Sequence, residues 1–117
     1  LIVRASPQAY SPVMSSAVGI ELTPVLPRGA AHGVSTVHWH ANYGYFVRWS
    51  APDHRVERLG PDVQLDLGPI CWSYDPKDGG AAKPEVEIVG EAQDDGGVVA
   101  RGIVNVIWDG ALARVRP

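Results

Sequence analysis

A chain of 117 residues with net charge −3, 45% hydrophobic and 20% charged is sized for one domain, spanning 1–117. A domain of that size buries roughly 65% of its unfolded surface. Its eight arginines are scattered rather than gathered into a stripe, and no RNA-binding aromatic signature accompanies them, which argues against a nucleic-acid partner. No apolar run approaches the roughly 18 residues of a membrane span, and a lone cysteine, Cys71, excludes an internal disulfide.

Thirteen Gly and ten Pro punctuate short runs, and no stretch keeps a helical period. Leu1–Arg4 reads as an edge strand, followed by a loop over Ser6–Pro12. Ala17–Leu26 reads as a strand with Val18, Ile20 and Leu22 inward and Glu21 and Thr23 outward. Pro24 and Pro27 cannot donate to a ladder, so the end of that strand belongs at an edge or a bulge. Ser35–His40 places Val37 and Trp39 inward and Thr36, His38 and His40 outward. Ala41–Gly44 turns the chain and Tyr45–Ser50 returns, with Tyr45, Val47 and Trp49 on one phase and Phe46 on the other, marking an exposed patch. Ala51–Pro61 reads as a loop. Asp62–Leu67 alternates Val63, Leu65 and Leu67 against Asp62, Gln64 and Asp66, and Ile70–Tyr74 sets Ile70, Trp72 and Tyr74 on one face. A polar loop over Asp75–Lys83 follows.

The last third of the chain is the most explicit. Two alternating runs between Pro84 and Trp108 flank Asp94-Asp95-Gly96-Gly97, the signature of a hairpin. A two-residue loop of Asp95-Gly96 pairs even positions with odd ones, which puts Arg101 and Asn105 beside Val86 and Ile88. An odd loop of Asp94-Asp95-Gly96, with Gly96 left-handed and a bulge after it, instead gathers Val86, Ile88 and Ala92 with Val98, Ala100, Val104 and Val106. The odd loop is the expectation. Asp109-Gly110 then favours a type I′ turn into a strand carrying Ala111, Ala113 and Val115. Seven to nine short strands with turn signals at this spacing predict an all-β, antiparallel sandwich.

Two stretches resemble bacterial immunoglobulin-like modules of the PKD or related type. Pro84–Ile107 is similar to their last hairpin. Val37-His38-Trp39-His40-Ala41-Asn42-Tyr43-Gly44 is similar to the motif in which a strand Trp precedes a Gly-containing bend. The resemblance covers about a third of the chain, and His40, Asn42 and Tyr45 stand where PKD domains usually carry acidic residues. It implies an Ig-like sandwich acting as a non-catalytic accessory or interaction module in a bacterial secreted, cell-surface or lipoprotein, outside the cell or in its envelope. The chain begins at Leu1 rather than Met, which reads as a mature or excised piece whose targeting segment has been removed.

Candidate site residues are few. His38 and His40 project from one strand face about 7 Å apart, a spacing that lets two imidazoles share a metal if His32, His54 or a carboxylate converges. The plainer reading makes them the polar phase of a half-exposed strand. Tyr43, Tyr45 and Trp49 share parity and are the candidates for a sugar-stacking platform, against the alternative that the aromatics fill the core. Asp75, Asp78, Asp94, Asp95 and Asp109 fit turn chemistry better than a calcium loop. Catalytic and cofactor motifs are missing: no nucleophile elbow, no phosphate-binding loop and no dinucleotide fingerprint. Cys71 lies in an apolar strand where a buried thiol is inert. The expectation is a non-enzymatic domain without cofactor, with a protein or a glycan as its partner.

Overall fold

Each alternating run commits one side chain in two to a buried face, and the strands satisfy that demand by pairing into two antiparallel sheets packed face to face. The computed structural model describes residues 1–11, 19–29, 32–50, 52–53, 55–74, 85–109 and 112–116. These form β1 (Ile2–Ser6), β2 (Ala9–Tyr10), β3 (Ile20–Val25), β4 (Thr36–Ala41), β5 (Tyr45–Ser50), β6 (Arg55–Gly60), β7 (Asp62–Asp66), β8 (Ile70–Ser73), β9 (Glu85–Asp94), β10 (Gly97–Asp109) and β11 (Leu112–Arg116). One sheet has the order β1-β3-β8-β5-β6 and the other β2-β11-β10-β9-β4-β7. The fold is therefore an all-β, antiparallel sandwich, as the alternation predicts. Its core draws Ile20, Leu22, Phe46, Ile70 and Trp72 from the five-stranded sheet and Val37, Trp39, Val86, Ile88 and Val106 from the six-stranded one. Trp39 and Phe46 meet across the gap with ring centroids 6.2 Å apart.

The two sheets are joined by a bent hairpin. β4 pairs with β7 at its base in the six-stranded sheet, and β5 pairs with β6 at its tip in the five-stranded sheet. Both strands change sheet at the same level, at Asn42–Gly44 on one side and at Gly60–Pro61 on the other. Gly44 and Gly60 carry positive φ there, a conformation that suits glycine. Hydrogen bonds bind the corner together: Trp72 Nε1 donates to the Tyr43 carbonyl at 2.9 Å, Ala41 N to Pro61 O at 3.0 Å, and Glu87 N to Asn42 Oδ1 at 2.9 Å. A Cβ on Gly44 would stand 2.6 Å from the Trp72 indole. The segment Ala41–Gly44 thus carries the chain to the other sheet; β5 pairs with β6 and β8, not with β4.

Eleven strands form where seven to nine were expected, β2 lying within the stretch expected as the loop Ser6–Pro12, and three further details depart from the pattern of the sequence. Phe46 is fully buried, not exposed, because its partner across the ladder is Trp72 on the core face. The ladder shifts register between Phe46 and Val47, so both are buried while Arg48 and Trp49 are exposed, and period-two parity does not hold along β5. The segment 55–60, expected as loop, is edge strand β6, exposed along Arg55–Arg58 and reaching the core only at Leu59, so it shows no alternation to read. In the terminal hairpin Asp94 pairs with Gly97 and Gln93 with Val98, leaving a two-residue tip of Asp95-Gly96. The register then shifts past Val99 so that Ala100 meets Ala92. The expected even-with-even pairing of Val86 with Val106 and Ile88 with Val104 holds, but the bulge creates it, not an odd loop. Val98 is exposed, not inward, and the left-handed residue is Gly97, φ 118°, not Gly96. Asp94 Oδ1 accepts the Gly96 N–H at 2.7 Å, the Asx turn that starts this tip. Asp109 pairs with Leu112; the type I′ turn expected at Asp109-Gly110 reaches residues outside those described, and Val18, Ala111 and the expected loop Asp75–Lys83 lie outside them too.

Pro24 sits where the ladder permits it. β8 bonds β3 only along Ile20–Leu22, so at Pro24 β3 has a paired neighbour on the β1 side alone.

Gly44→Ala combines positive-φ strain with a clash against a buried indole and should lower stability by about 2–4 kcal/mol in urea unfolding. Gly97→Ala should cost about 1–2 kcal/mol. Gly96→Ala should stay within about 0.5 kcal/mol, since its added Cβ meets only Asp94 Oδ1 at 3.3 Å. The opposite ranking of Gly96 and Gly97 would mean the tip is misregistered.

Candidate functional site

The outward phase of β4 lies between β9 on one side and β7 on the other, so three strands contribute to one polar patch on the outer face of the six-stranded sheet. His38 stands opposite Glu91 of β9 and Gln64 of β7; His40 stands opposite Val89 and Asp62. Both histidines are outward and half-buried, as the alternation predicts, with ring centroids 5.8 Å apart and planes at 43°.

Each carboxylate reaches the histidine diagonal to it across these rungs. Glu91 Oε1 lies 3.8 Å from His38 Nδ1 and 4.0 Å from His40 Nδ1, between the two rings. Asp62 Oδ1 bonds His38 Nε2 at 2.7 Å from the other side. From the His38 rung, Gln64 Nε2 reaches along the face to donate to Thr36 Oγ1 at 3.2 Å and to Gln93 Oε1 at 2.9 Å. The network holds the side chains of three strands in register with one another. Among the described residues, His38, His40 and Glu91 are the group whose ligand-type atoms converge, all within 4.8 Å of one another. The third member is thus a carboxylate. His32 is exposed ahead of β4, and His54 lies outside the described residues.

The aromatic candidates separate. Tyr43 is half-buried at the corner, its ring 5.6 Å from that of Tyr74. Tyr45 lies under Arg58, whose guanidinium carbon sits 4.1 Å from the ring centroid. Trp49, near the tip of the bent hairpin, is 46% exposed and stands opposite Val56, 48% exposed. Beside this pair a hollow of about 420 Å3 is lined by Arg48, Ser50, Arg55, Val56 and Glu57. Another of about 330 Å3 runs along β5 and β8 between Trp49, Val47, Leu65, Pro69, Cys71 and Glu21. Trp39 and Trp72 are fully buried and Trp108 half-buried, edge-on to Tyr74 at 4.7 Å, as the core reading requires.

The remaining reactive types have structural roles. Half-buried Cys71 lies opposite Glu21 in the ladder; burial, with the Glu21 carboxylate adding, pushes its thiol up to about 12. Glu85 pairs with Arg116 at 2.8 Å in the open, a contact of small energetic weight. Asp94 is used in its turn, while Asp75 and Asp78 lie outside the described residues.

No protein-family model, curated protein or solved structure matches the chain. The resemblance to immunoglobulin-like modules rests on the sequence outline alone.

A thiol held neutral is a poor nucleophile. Native protein at neutral pH should alkylate at Cys71 at least tenfold more slowly with iodoacetamide than the same chain in denaturant, followed by intact-mass spectrometry. Equal rates would show a thiolate that the fold does not suppress.

Proposed function

We propose that this chain is a non-catalytic interaction module of a bacterial secreted, cell-surface or lipoprotein, whose partner is held on the β5–β6 arm. The observation that carries the reading is the half-exposed Trp49–Val56 pair at the tip of that arm, Val56 lining the hollow edged by Arg48 and Arg55 and Trp49 the hollow along β5 and β8. Large rings that combine apolar area with low conformational cost are the usual anchors of binding surfaces. An edge strand such as β6 also offers unpaired backbone groups to an extended partner segment. The inert Cys71 thiol and the absence of catalytic and cofactor motifs favour binding over catalysis. The secreted or cell-surface setting is carried by the resemblance to immunoglobulin-like modules alone.

Trp49 favours a second reading, a carbohydrate-binding module. Tyr43 is turned into the corner and Tyr45 is covered by Arg58, so a glycan would stack on Trp49 and not on a three-ring platform.

One pair of experiments separates them. A photo-crosslinking residue at position 49, with a control at position 64 on the other sheet, should capture a protein in the native envelope fraction from position 49 only. If the ligand is a glycan, an oligosaccharide array should instead give hits that quench tryptophan fluorescence and disappear in Trp49→Ala. Capture from both positions alike, or silence in both experiments, would dismiss the arm as the binding surface.

A further inference from the structure

We propose that His38, His40 and Glu91 bind a divalent transition-metal ion of the zinc type, with Asp62 orienting His38. The site is carried by β4, β7 and β9 and is independent of the reading of the β5–β6 arm.

The argument begins with the donor atoms. Two imidazole nitrogens and one carboxylate oxygen are a borderline set that suits zinc and its first-row neighbours, whereas calcium and magnesium require oxygen ligands throughout. The three atoms are already clustered: Glu91 Oε1 stands 3.8 and 4.0 Å from the two Nδ1 atoms, and all three lie within 4.8 Å. Bonds of 2.0–2.1 Å at tetrahedral angles put ligand atoms roughly 3.3 Å apart. Side-chain rotations that shorten these separations by about an ångström would close the site, with no change in the backbone.

Next comes orientation. A metal-bound imidazole needs its coordinating nitrogen bare and its other nitrogen protonated, and metal-binding proteins commonly enforce this with a carboxylate that accepts the second N–H. His38 has that arrangement. Asp62 Oδ1 at 2.7 Å accepts a hydrogen bond from His38 Nε2–H, which makes Nδ1, 3.8 Å from Glu91 Oε1, the nitrogen available to a metal.

The backbone supplies the rest. His38 and His40 come from one strand and Glu91 from the strand bonded to it, so the spacing is set by ladder geometry and not by a loop. Asp62 comes from the strand on the other side. The cluster is half-buried on its sides and lies on the outer sheet face. Three protein ligands leave a fourth position for water or for a donor from another molecule, the open form of zinc site.

The test is a calorimetric titration of chelator-treated full-length protein with zinc chloride, repeated with cobalt chloride and followed by visible absorption. The expected result is one zinc ion per chain, a rise in melting temperature with added zinc, and cobalt bands of four-coordinate intensity. His40→Gln and Glu91→Gln should each weaken zinc binding at least tenfold. Asp62→Asn, which touches no metal, should weaken it by about 10–100-fold while keeping one ion per chain. His32→Ala should bind as the parent does. Circular dichroism of each variant establishes that the sheets persist. His38→Gln provides a second ligand variant should His40→Gln fail to fold.

No zinc binding at millimolar concentration would overturn the assignment. So would binding that survives both His40→Gln and Glu91→Gln, or a calcium response equal to that of zinc.

Discussion

The indole of Trp72 holds the two sheets in their mutual position. Its ring lies in the core and its N–H reaches the carbonyl of Tyr43, so one side chain both fills the interior and binds the corner where the chain passes from one sheet to the other. A buried indole N–H gains from an acceptor, and the bend supplies one to Trp72 because Gly44 lets the backbone pass against the ring without a Cβ. On the other strand of the hairpin, Gly60 and Pro61 turn at the same level and the ladder continues through Ala41. Loss of this corner would separate the β4–β7 base from the β5–β6 tip and with it the two faces that carry polar chemistry.

A second close approach serves the six-stranded sheet. Trp39 lies opposite Gly90, and a Cβ there would stand 2.9 Å from its ring. The large side chain of one strand thus covers the bare backbone of its neighbour, which fills the void a glycine leaves and fixes the register of β4 against β9. That register decides which side chains meet on the outer face. With Trp39 opposite Gly90, His38 is set opposite Glu91. The core packing and the polar cluster are therefore the two sides of one alignment, and a slip of one residue would destroy both.

The two outer faces differ in kind. On β4, β7 and β9 the polar phase is dense with hydrogen-bonded groups from three strands. On the arm of β5 and β6 the outward side chains are a tryptophan, a valine and arginines around open hollows. The first suits a small ligand held by directed bonds, the second a larger surface held by area and charge.

Much of the architecture was legible in the sequence because a half-buried strand declares itself by period two. Val37/Trp39, Val63/Leu65, Ile70/Trp72 and Val86/Ile88 all face the interior as their alternation says, and His38 and His40 face out. The pattern failed where the ladder is irregular or lacks contrast: a register shift leaves both Phe46 and Val47 buried, and β6 sets Val56 and Leu59 on opposite phases, so only the pairing of Phe46 with Trp72 and of Val56 with Trp49 assigns them. The hairpin tip failed for a subtler reason. Alternation on both sides required even-with-even pairing, yet two different devices deliver it, and the ladder takes the bulge at Val99. The metal-type cluster divides the same way. That two histidines share a face is a property of the sequence, since i and i+2 on a strand have no alternative. That Glu91 and Asp62 join them was decided by the tertiary structure, because β4, β7 and β9 are far apart in the chain and become neighbours only when the sheet assembles.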